Sequence, residues 1–355
     1  MPAVNLTAQQ DTYEILVTCS PVYECALGVA AYTWPTMVDK LERTPEQWQA
    51  MIATASSQTK EEVNLAGKVH TWRSLLFLAH RCPDLSTISL TAHVSYFSEW
   101  MSTLGTDISA LAAPYLGERN EERLEAALAG DEKARTELLR DFQEDPLVLL
   151  NLRYLLATSP EQIGLHLRRL LLGWYEAMPH QEAVLEALES DREAVQQLVS
   201  TMPPAELVRR ATNGTELQPE PMIRRIWLAP QISYRPFTIF NRMPETGIYY
   251  YPVADERMPG QREHQSTLQV ANLHKAVGDV HRVRILQLLH RSPRSVTELG
   301  QLLDLAKSTA HHHLLLLRSA GLVRTENGVY TLEAKNVGRL GPRLAEYVGL
   351  EGEWS

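Results

Sequence analysis

The chain has 355 residues, of which 44% are hydrophobic and 22% are charged, and its formal net charge is −9. This composition is typical of an ordinary soluble protein with two or three domains, and no apolar run is long enough to span a bilayer. Cys19, Cys25 and Cys82 are too few for a disulfide framework and suit a reducing cytoplasm. Because Met1–Asn5 lacks the basic and apolar regions of a signal peptide, we expect a cytoplasmic protein.

The sequence pattern of residues 11–260 predicts a mostly helical region. Apolar residues recur at spacings of three and four in residues 60–81, 118–142, 161–177 and 181–200, as in amphipathic helices.

Three helix starts are visible in the same region. Ser20, Thr44 and Ser159 each precede a proline, which suits the first helical position. Gln47 and Gln162 follow two of these caps at the spacing of a capping box. These are local capping signals and do not indicate an internal repeat.

A β-rich part is predicted within about residues 222–253. It contains three short segments rich in aromatic and β-branched residues: Ile223–Leu228, Phe237–Asn241 and Gly247–Pro252. They indicate an antiparallel meander or hairpin. The polar stretch Glu256–Gln265 is the best candidate for a linker. We therefore predict a helical N-terminal domain with a short β meander over residues 1–260, and a second domain over residues 268–355.

The second domain begins with two helices. An apolar helix over Asp279–Leu289 comes first. The next helix starts at Ser295, where the serine hydroxyl and Glu298 can cap the first-turn amides reciprocally. Leu268–Leu289 is long enough for one or two helices, and Asn336–Leu350 can form one more short helix.

A third helix and a hairpin complete the pattern. The third helix begins at Lys307 and stops before Gly321, because only glycine takes the left-handed C-cap without strain. The strands Leu322–Arg324 and Val329–Leu332 flank Glu326–Gly328, which contains the Asn-Gly pair typical of a tight hairpin. Such a unit places one helix in the DNA major groove with a hairpin beside it. The overall fold class is mainly α with small β elements, ending in a winged helix-turn-helix.

The charge distribution also favours DNA binding. Residues 268–355 carry 11 basic and 8 acidic side chains, whereas the first 267 residues carry 23 and 35. A basic terminal module on an acidic body limits nonspecific affinity for phosphate. Charge drift without consequence is the alternative explanation.

The module resembles the ArsR/SmtB family of bacterial regulators over about 80 of the 355 residues. The residues in register with the family pattern are Asp279, Arg282, Ile285, Leu286, Glu298, Leu299, Ser308, Thr309, His313, Leu314, Leu317, Ala320, Gly321, Leu322 and Val323. Ser20–Glu24 and Ile226–Pro252 resemble a helical N-terminal extension found in some large members.

The family's metal sites are not expected in this chain. The thiolate site needs a Cys-x-Cys pair where this chain has Val296–Leu299, and the C-terminal site needs histidines that residues 336–350 lack. Consecutive histidines at 311–313 cannot chelate one ion, because neighbouring helix residues point about 100° apart. We expect no metal and no cofactor. The three cysteines either have a redox or metal role or are small buried apolar side chains. Three aromatic clusters (residues 32–35, 96–100 and 249–251) either line an effector pocket or pack in the core.

Eight residues are candidates for DNA contact: Lys307, Ser308, Thr309, His311, His312, Leu315, Arg318 and Arg324. The alternative for the histidine run is a polar helix face, with His313 partly buried by packing. Three features weaken the interface relative to the family: Ala306 replaces a capping serine, Leu315 replaces a commonly basic residue, and the wing offers mainly Arg324. Lys307, Arg318, Arg291 and Arg294 are the candidate phosphate partners.

The resulting hypothesis is a transcription repressor that acts as a homodimer on an imperfect palindrome in double-stranded DNA. The family resemblance implies a dimer built from parts of residues 268–290 and 336–350, and the N-terminal domain could bind an unknown small-molecule effector. No catalytic constellation is visible, so we do not expect an enzyme. The alternative is a protein-interaction scaffold whose winged helix no longer binds DNA.

Overall fold

The computed structural model describes residues 13–83, 85–113, 118–217, 220, 222–258, 270–271, 273–326 and 328–350. Met1–Asn5 and most of the predicted linker lie outside these residues. The chain divides into two compact units. The helical unit comprises residues 14–193 and 221–253, and the winged-helix unit comprises the described parts of residues 194–220 and 254–355 together with Tyr13.

Helices form most of the helical unit. They are α1 (Pro21–Thr33), α2 (Pro35–Val38), α3 (Pro45–Thr54), α4 (Ser57–Val69), α5 (Thr71–Arg81), α6 (His93–Thr103), α7 (Ile108–Leu111), α8 (Glu118–Leu128), α9 (Glu132–Asp141), α10 (Pro146–Ala157), α11 (Pro160–Ala177) and α12 (Gln181–Gln196), whose last residues belong to the winged-helix unit. Within the described residues, no helix combines the length and apolarity needed to cross a membrane.

The three helix starts read from the sequence are confirmed. The Ser20 hydroxyl accepts a hydrogen bond from the Val22 amide at 3.1 Å. Thr44 and Gln47 form a complete capping box, and Ser159 accepts from the Gln162 amide at 3.3 Å. These contacts satisfy first-turn amides that would otherwise lack partners.

Two of the predicted helices are each divided in two. Residues 60–81 are interrupted at His70, which has a left-handed φ of 53°. The Asn151 amide donates to the carbonyls of Val69 and His70 at 3.3 Å and so stabilises the break. Residues 118–142 are interrupted at Gly130, where φ is +100° and glycine avoids the strain that a side chain would cause.

The helical unit also contains a four-stranded mixed sheet. Its strands are β1 (Glu14–Val17), β2 (Arg225–Gln231), β3 (Ile239–Met243) and β4 (Thr246–Pro252), in the order β1-β2-β4-β3. The β3–β4 hairpin is antiparallel, as predicted, but β2 runs parallel to β4 and to β1, so the predicted meander is corrected. All seven residues of β4 are buried, as expected for an inner strand with parallel pairing.

Helix α1 forms the centre of the helical unit. Its residues from Pro21 to Ala31 are all buried, and it contacts α4, α5 and α11. Glu24 is buried too, and its carboxylate accepts from the Ile232 amide at 2.8 Å and from the Ser233 hydroxyl at 2.6 Å. Because a buried carboxylate is costly without such donors, this pair of contacts holds the chain that follows β2 against α1.

The core contains all of the cysteines and one complete aromatic cluster, whereas Trp34 of the cluster at residues 32–35 is 38% exposed. Tyr249, Tyr250 and Tyr251 lie on β4 and are at most 5% exposed. The three cysteines are buried and form no disulfide. Burial raises the pKa of the Cys19 thiol to about 12, which disfavours the reactive thiolate.

The winged-helix unit contains the predicted module. Its elements are α13 (Pro204–Ala211), α14 (Val280–Arg291), β5 (Arg294–Ser295), α15 (Val296–Leu303), α16 (Lys307–Ser319), β6 (Val323–Glu326), β7 (Val329–Leu332), α17 (Ala334–Val337) and α18 (Leu340–Tyr347). Residues 270–271 and 273–277 are also helical. The strands form an antiparallel sheet in the order β5-β7-β6, so the winged helix is confirmed and gains one strand that the sequence did not reveal.

Local signals account for the turns of this module. Ser295 and Glu298 form the predicted capping box, and Asp279 caps α14 by accepting from the Arg282 amide at 3.1 Å. Gly321 ends α16 with a φ of +66°. Asn327, the first residue of the predicted Asn-Gly turn, lies outside the described residues. Apolar side chains of α14, α15, α16 and β7 share one core, with Ile285, Leu299, Leu314 and Leu317 all 0% exposed.

Candidate nucleic-acid interface

Helix α16 has a buried face and an exposed face. Ala310, His313, Leu314 and Leu317 are buried in the core of the winged helix. The exposed side chains at its N-terminal end are Lys307, Ser308, Thr309 and His311. Four of the eight predicted contact residues therefore share one accessible end of the helix that a winged helix inserts into DNA.

The N-terminus of α16 lacks a side-chain cap. Ala306 precedes the helix and makes no side-chain hydrogen bond to it, so the predicted loss of a cap is confirmed. First-turn amides and the positive end of the helix dipole then face the surroundings of Lys307 and Ser308. Such an end favours a phosphate oxygen.

The three consecutive histidines have different environments. His311 is exposed, His312 is half-buried and His313 is 8% exposed. The His313 ring stacks on His281 at 5.7 Å between centroids, and its Nδ1 lies 3.8 Å from the Asp279 carboxylate. Burial lowers the pKa of His313, although Asp279 opposes the shift. His313 is thus a packing residue, whereas His311 can reach a ligand directly.

Leu315 and Arg318 lie further along the helix and are both half-buried. The stem of Arg318 rests on Gly214: a Cβ added to that glycine would lie 3.7 Å from Arg318 Cγ and 3.8 Å from Cδ. Burial raises the pKa of Tyr330 in the wing. The charge of Arg318 lowers this pKa and that of Glu216 raises it, so both Arg318 and Glu216 lie near Tyr330. Gly214 and Glu216 therefore lie near the recognition helix and the wing, a proximity that no local sequence signal indicates.

The cation of the wing is already paired. Arg324 Nε lies 3.2 Å from Glu333 Oε1, with side chains 51% and 36% exposed. The hairpin register places Arg324 opposite Thr331, and Glu333 follows two residues later on the same face. The sequence could have indicated this ion pair, because the register of the predicted hairpin defines which side chains are diagonal neighbours.

The other candidate phosphate partners differ in accessibility. Arg291 is exposed at the end of α14, whereas Arg294 is half-buried in β5. The Nε atom of Arg294 is buried without a hydrogen-bond partner among the described residues. Across the described part of the chain, no group of three or more His, Cys, Asp or Glu side chains is placed to hold a metal ion.

Comparison with known proteins agrees with this geometry. Residues 279–325 match the family described as "Bacterial regulatory protein, arsR family". The matched range contains α14, β5, α15 and α16 and reaches into β6. Comparison with curated proteins and with solved structures finds no match to the chain.

Proposed function

From the ArsR-family helix-turn-helix at residues 279–325, which follows a large N-terminal extension, we propose that this chain is a homodimeric transcription repressor. Its target is an imperfect palindrome in double-stranded DNA. The family match supports a DNA-binding transcription regulator and favours a regulator over an enzyme. Our proposal further includes dimerisation, repression and control by a signal.

The exposed N-terminal end of α16 is the observation that carries the proposal. Lys307 is exposed and supplies a charge for a phosphate, and Ser308 and Thr309 supply hydroxyls. His311 and His312 can donate to or accept from base edges, which makes them the residues for sequence reading. Leu315 adds an apolar contact, and Arg318 adds a second phosphate contact.

Exposed apolar side chains support a dimer. Val280 and Val283 on α14 are 72% and 52% exposed, and Leu344, Val348 and Leu350 near the C-terminus are 40%, 55% and 57% exposed. A second copy covering these side chains would remove them from water. A two-fold dimer spaces its recognition helices about 34 Å apart, or one DNA turn, which is why we propose a palindromic operator.

Control by the N-terminal region completes the proposal. A signal bound by residues 1–260 would act by favouring one spacing of the two recognition helices over another. It can shift this equilibrium only as far as it binds the two states unequally. The signal is a small molecule or a partner protein.

The test is selection of bound sequences from random double-stranded DNA at two salt concentrations, using the full chain. Enrichment of a palindrome supports the proposal. Arg318→Ala should then weaken binding to all sequences and lower the salt slope by about one unit. Salt-sensitive binding without a motif contradicts the sequence-specific part. Absence of binding at either salt favours the protein-interaction scaffold, for which the paired Arg324 is the supporting observation.

A further inference from the structure

A second basic surface adjoins the recognition helix, outside the segment that matches the family. Helix α13 is strongly amphipathic: Leu207 and Val208 are at most 1% exposed, whereas Arg209 and Arg210 are exposed. These elements belong to the same compact unit as the winged helix, although about 70 residues separate them in sequence. The two arginines stand in the last turn of α13.

The turn after α13 is held by its own hydrogen bonds. The Gly214 amide donates to the Arg209 carbonyl at 2.7 Å. The Thr212 hydroxyl donates to the Val208 carbonyl at 2.6 Å and accepts from the Thr215 amide at 3.1 Å. Gly214 has a φ of +99°, a conformation that side chains rarely adopt.

This turn connects the two arginines to the recognition helix. Gly214 supports the stem of Arg318, with a Cβ position 3.7 Å from Arg318 Cγ. The backbone of Arg209 is one hydrogen bond away from the same glycine. The exposed Arg209 and Arg210 therefore stand at a helix end that a short, hydrogen-bonded turn joins to Arg318.

The charges of this surface are available to a partner. Among the described residues, neither Arg209, Arg210 nor Arg318 forms an ion pair, unlike Arg324 of the wing. An arginine in the last turn of a helix is also stabilised by the helix dipole, and this would explain the presence of one of the two arginines without any ligand. Two exposed arginines at a helix end that adjoins a proposed phosphate contact fit a phosphate backbone better, since each guanidinium fork matches phosphate oxygens bidentately.

We propose that Arg209 and Arg210 bind the DNA phosphate backbone beside the recognition helix, so that the DNA interface continues from α16 onto α13. This inference rests on the proposed function, because it extends the same interface. It assigns residues 204–217 to the DNA-binding module. The contact is independent of sequence, because phosphates carry no base information.

The experiment compares full-length variants by fluorescence anisotropy on two labelled duplexes, one selected by the wild type and one of random sequence. The test variant is R209A/R210A. The matched control is R140A/R153A, which removes two exposed arginines of the helical unit and makes the same charge change. R209K/R210K keeps the charges, and circular dichroism checks that each variant is folded. Salt is varied between about 0.05 and 0.2 M.

Each lost phosphate contact lowers the salt slope by about 0.9, which corresponds to about eightfold in affinity at 0.1 M salt. R209A/R210A should therefore lower the slope by nearly two on both duplexes, R209K/R210K should restore most of it, and R140A/R153A should leave it unchanged. If the wild type binds and R209A/R210A keeps its slope, this inference is wrong and the proposed function stands. A loss confined to the selected duplex also overturns it, since bases would then be read. If the wild type selects no sequence and does not bind the random duplex, the proposed function itself is overturned.

Discussion

The ion pair between Arg324 and Glu333 makes the wing a sensitive test of the proposed DNA interface. For Arg324 to direct its Nε–H group and its full charge to a phosphate, the guanidinium must leave a carboxylate that lies 3.2 Å from its Nε atom. Two unit charges at that distance attract by about 1 kcal/mol in water. Because both side chains are half-exposed, we discount the pair to about 0.5–1 kcal/mol.

Glu333→Gln should release Arg324 and strengthen DNA binding by about two- to fivefold at low salt, the affinity equivalent of that free energy. The fold should change in stability by no more than the same small amount. The assay is anisotropy with the wild type, E333Q, R324A and the double variant R324A/E333Q. This cycle separates the released arginine from the removal of one negative charge near DNA.

The result that refutes this reasoning is an equal gain from E333Q in the presence and in the absence of Arg324. In that case the wing arginine makes no contact, and Glu333 acts only through its charge. A loss of affinity in E333Q would mean that the pair positions the wing.

Three further predictions concern the module and the helical unit. His311→Ala with His312→Ala should reduce affinity for the selected duplex by about 1 kcal/mol per lost base contact, with unchanged circular dichroism; equal losses on all sequences would contradict base reading. Ser295→Ala should destabilise the start of α15 by about 1 kcal/mol, so that the Glu298 amide exchanges its hydrogen about fivefold faster; unchanged exchange would show that the cap contributes little. Burial, with help from the neighbouring Arg81, lowers the pKa of His80 to about 3. The unfolded chain therefore binds more protons below about pH 6.5. The free energy of unfolding should fall by up to about 1.4 kcal/mol per pH unit as the pH drops from 7 to 5, which urea titration would show as a lower midpoint; His80→Gln should reduce this dependence.

The sequence was sufficient for the winged helix because its signals are local. The capping box at Ser295, the left-handed glycine at Gly321 and the hairpin strands each depend on a few adjacent residues. Helical spacing likewise separated the buried His313 from the exposed His311. These features follow from backbone geometry and short-range hydrogen bonds, which the types and spacing of neighbouring residues are enough to predict.

Other features depend on residues that are distant in the chain. The break at His70 is held by Asn151, and the parallel pairing of β1, β2 and β4 joins strands from opposite ends of the helical unit. The aromatic and β-branched residues of these segments indicated strands but not the direction in which they pair, because parallel and antiparallel pairing use similar residues.

By itself, the sequence determined a helical extension followed by a winged helix with an exposed N-terminal end on its recognition helix. Only the tertiary structure decided that Arg324 is paired with Glu333 and that Gly214 places α13 beside Arg318. The physical reason is range: caps and turns are settled within one turn of backbone, whereas the availability of a charge depends on which distant side chains the fold brings within a few ångströms.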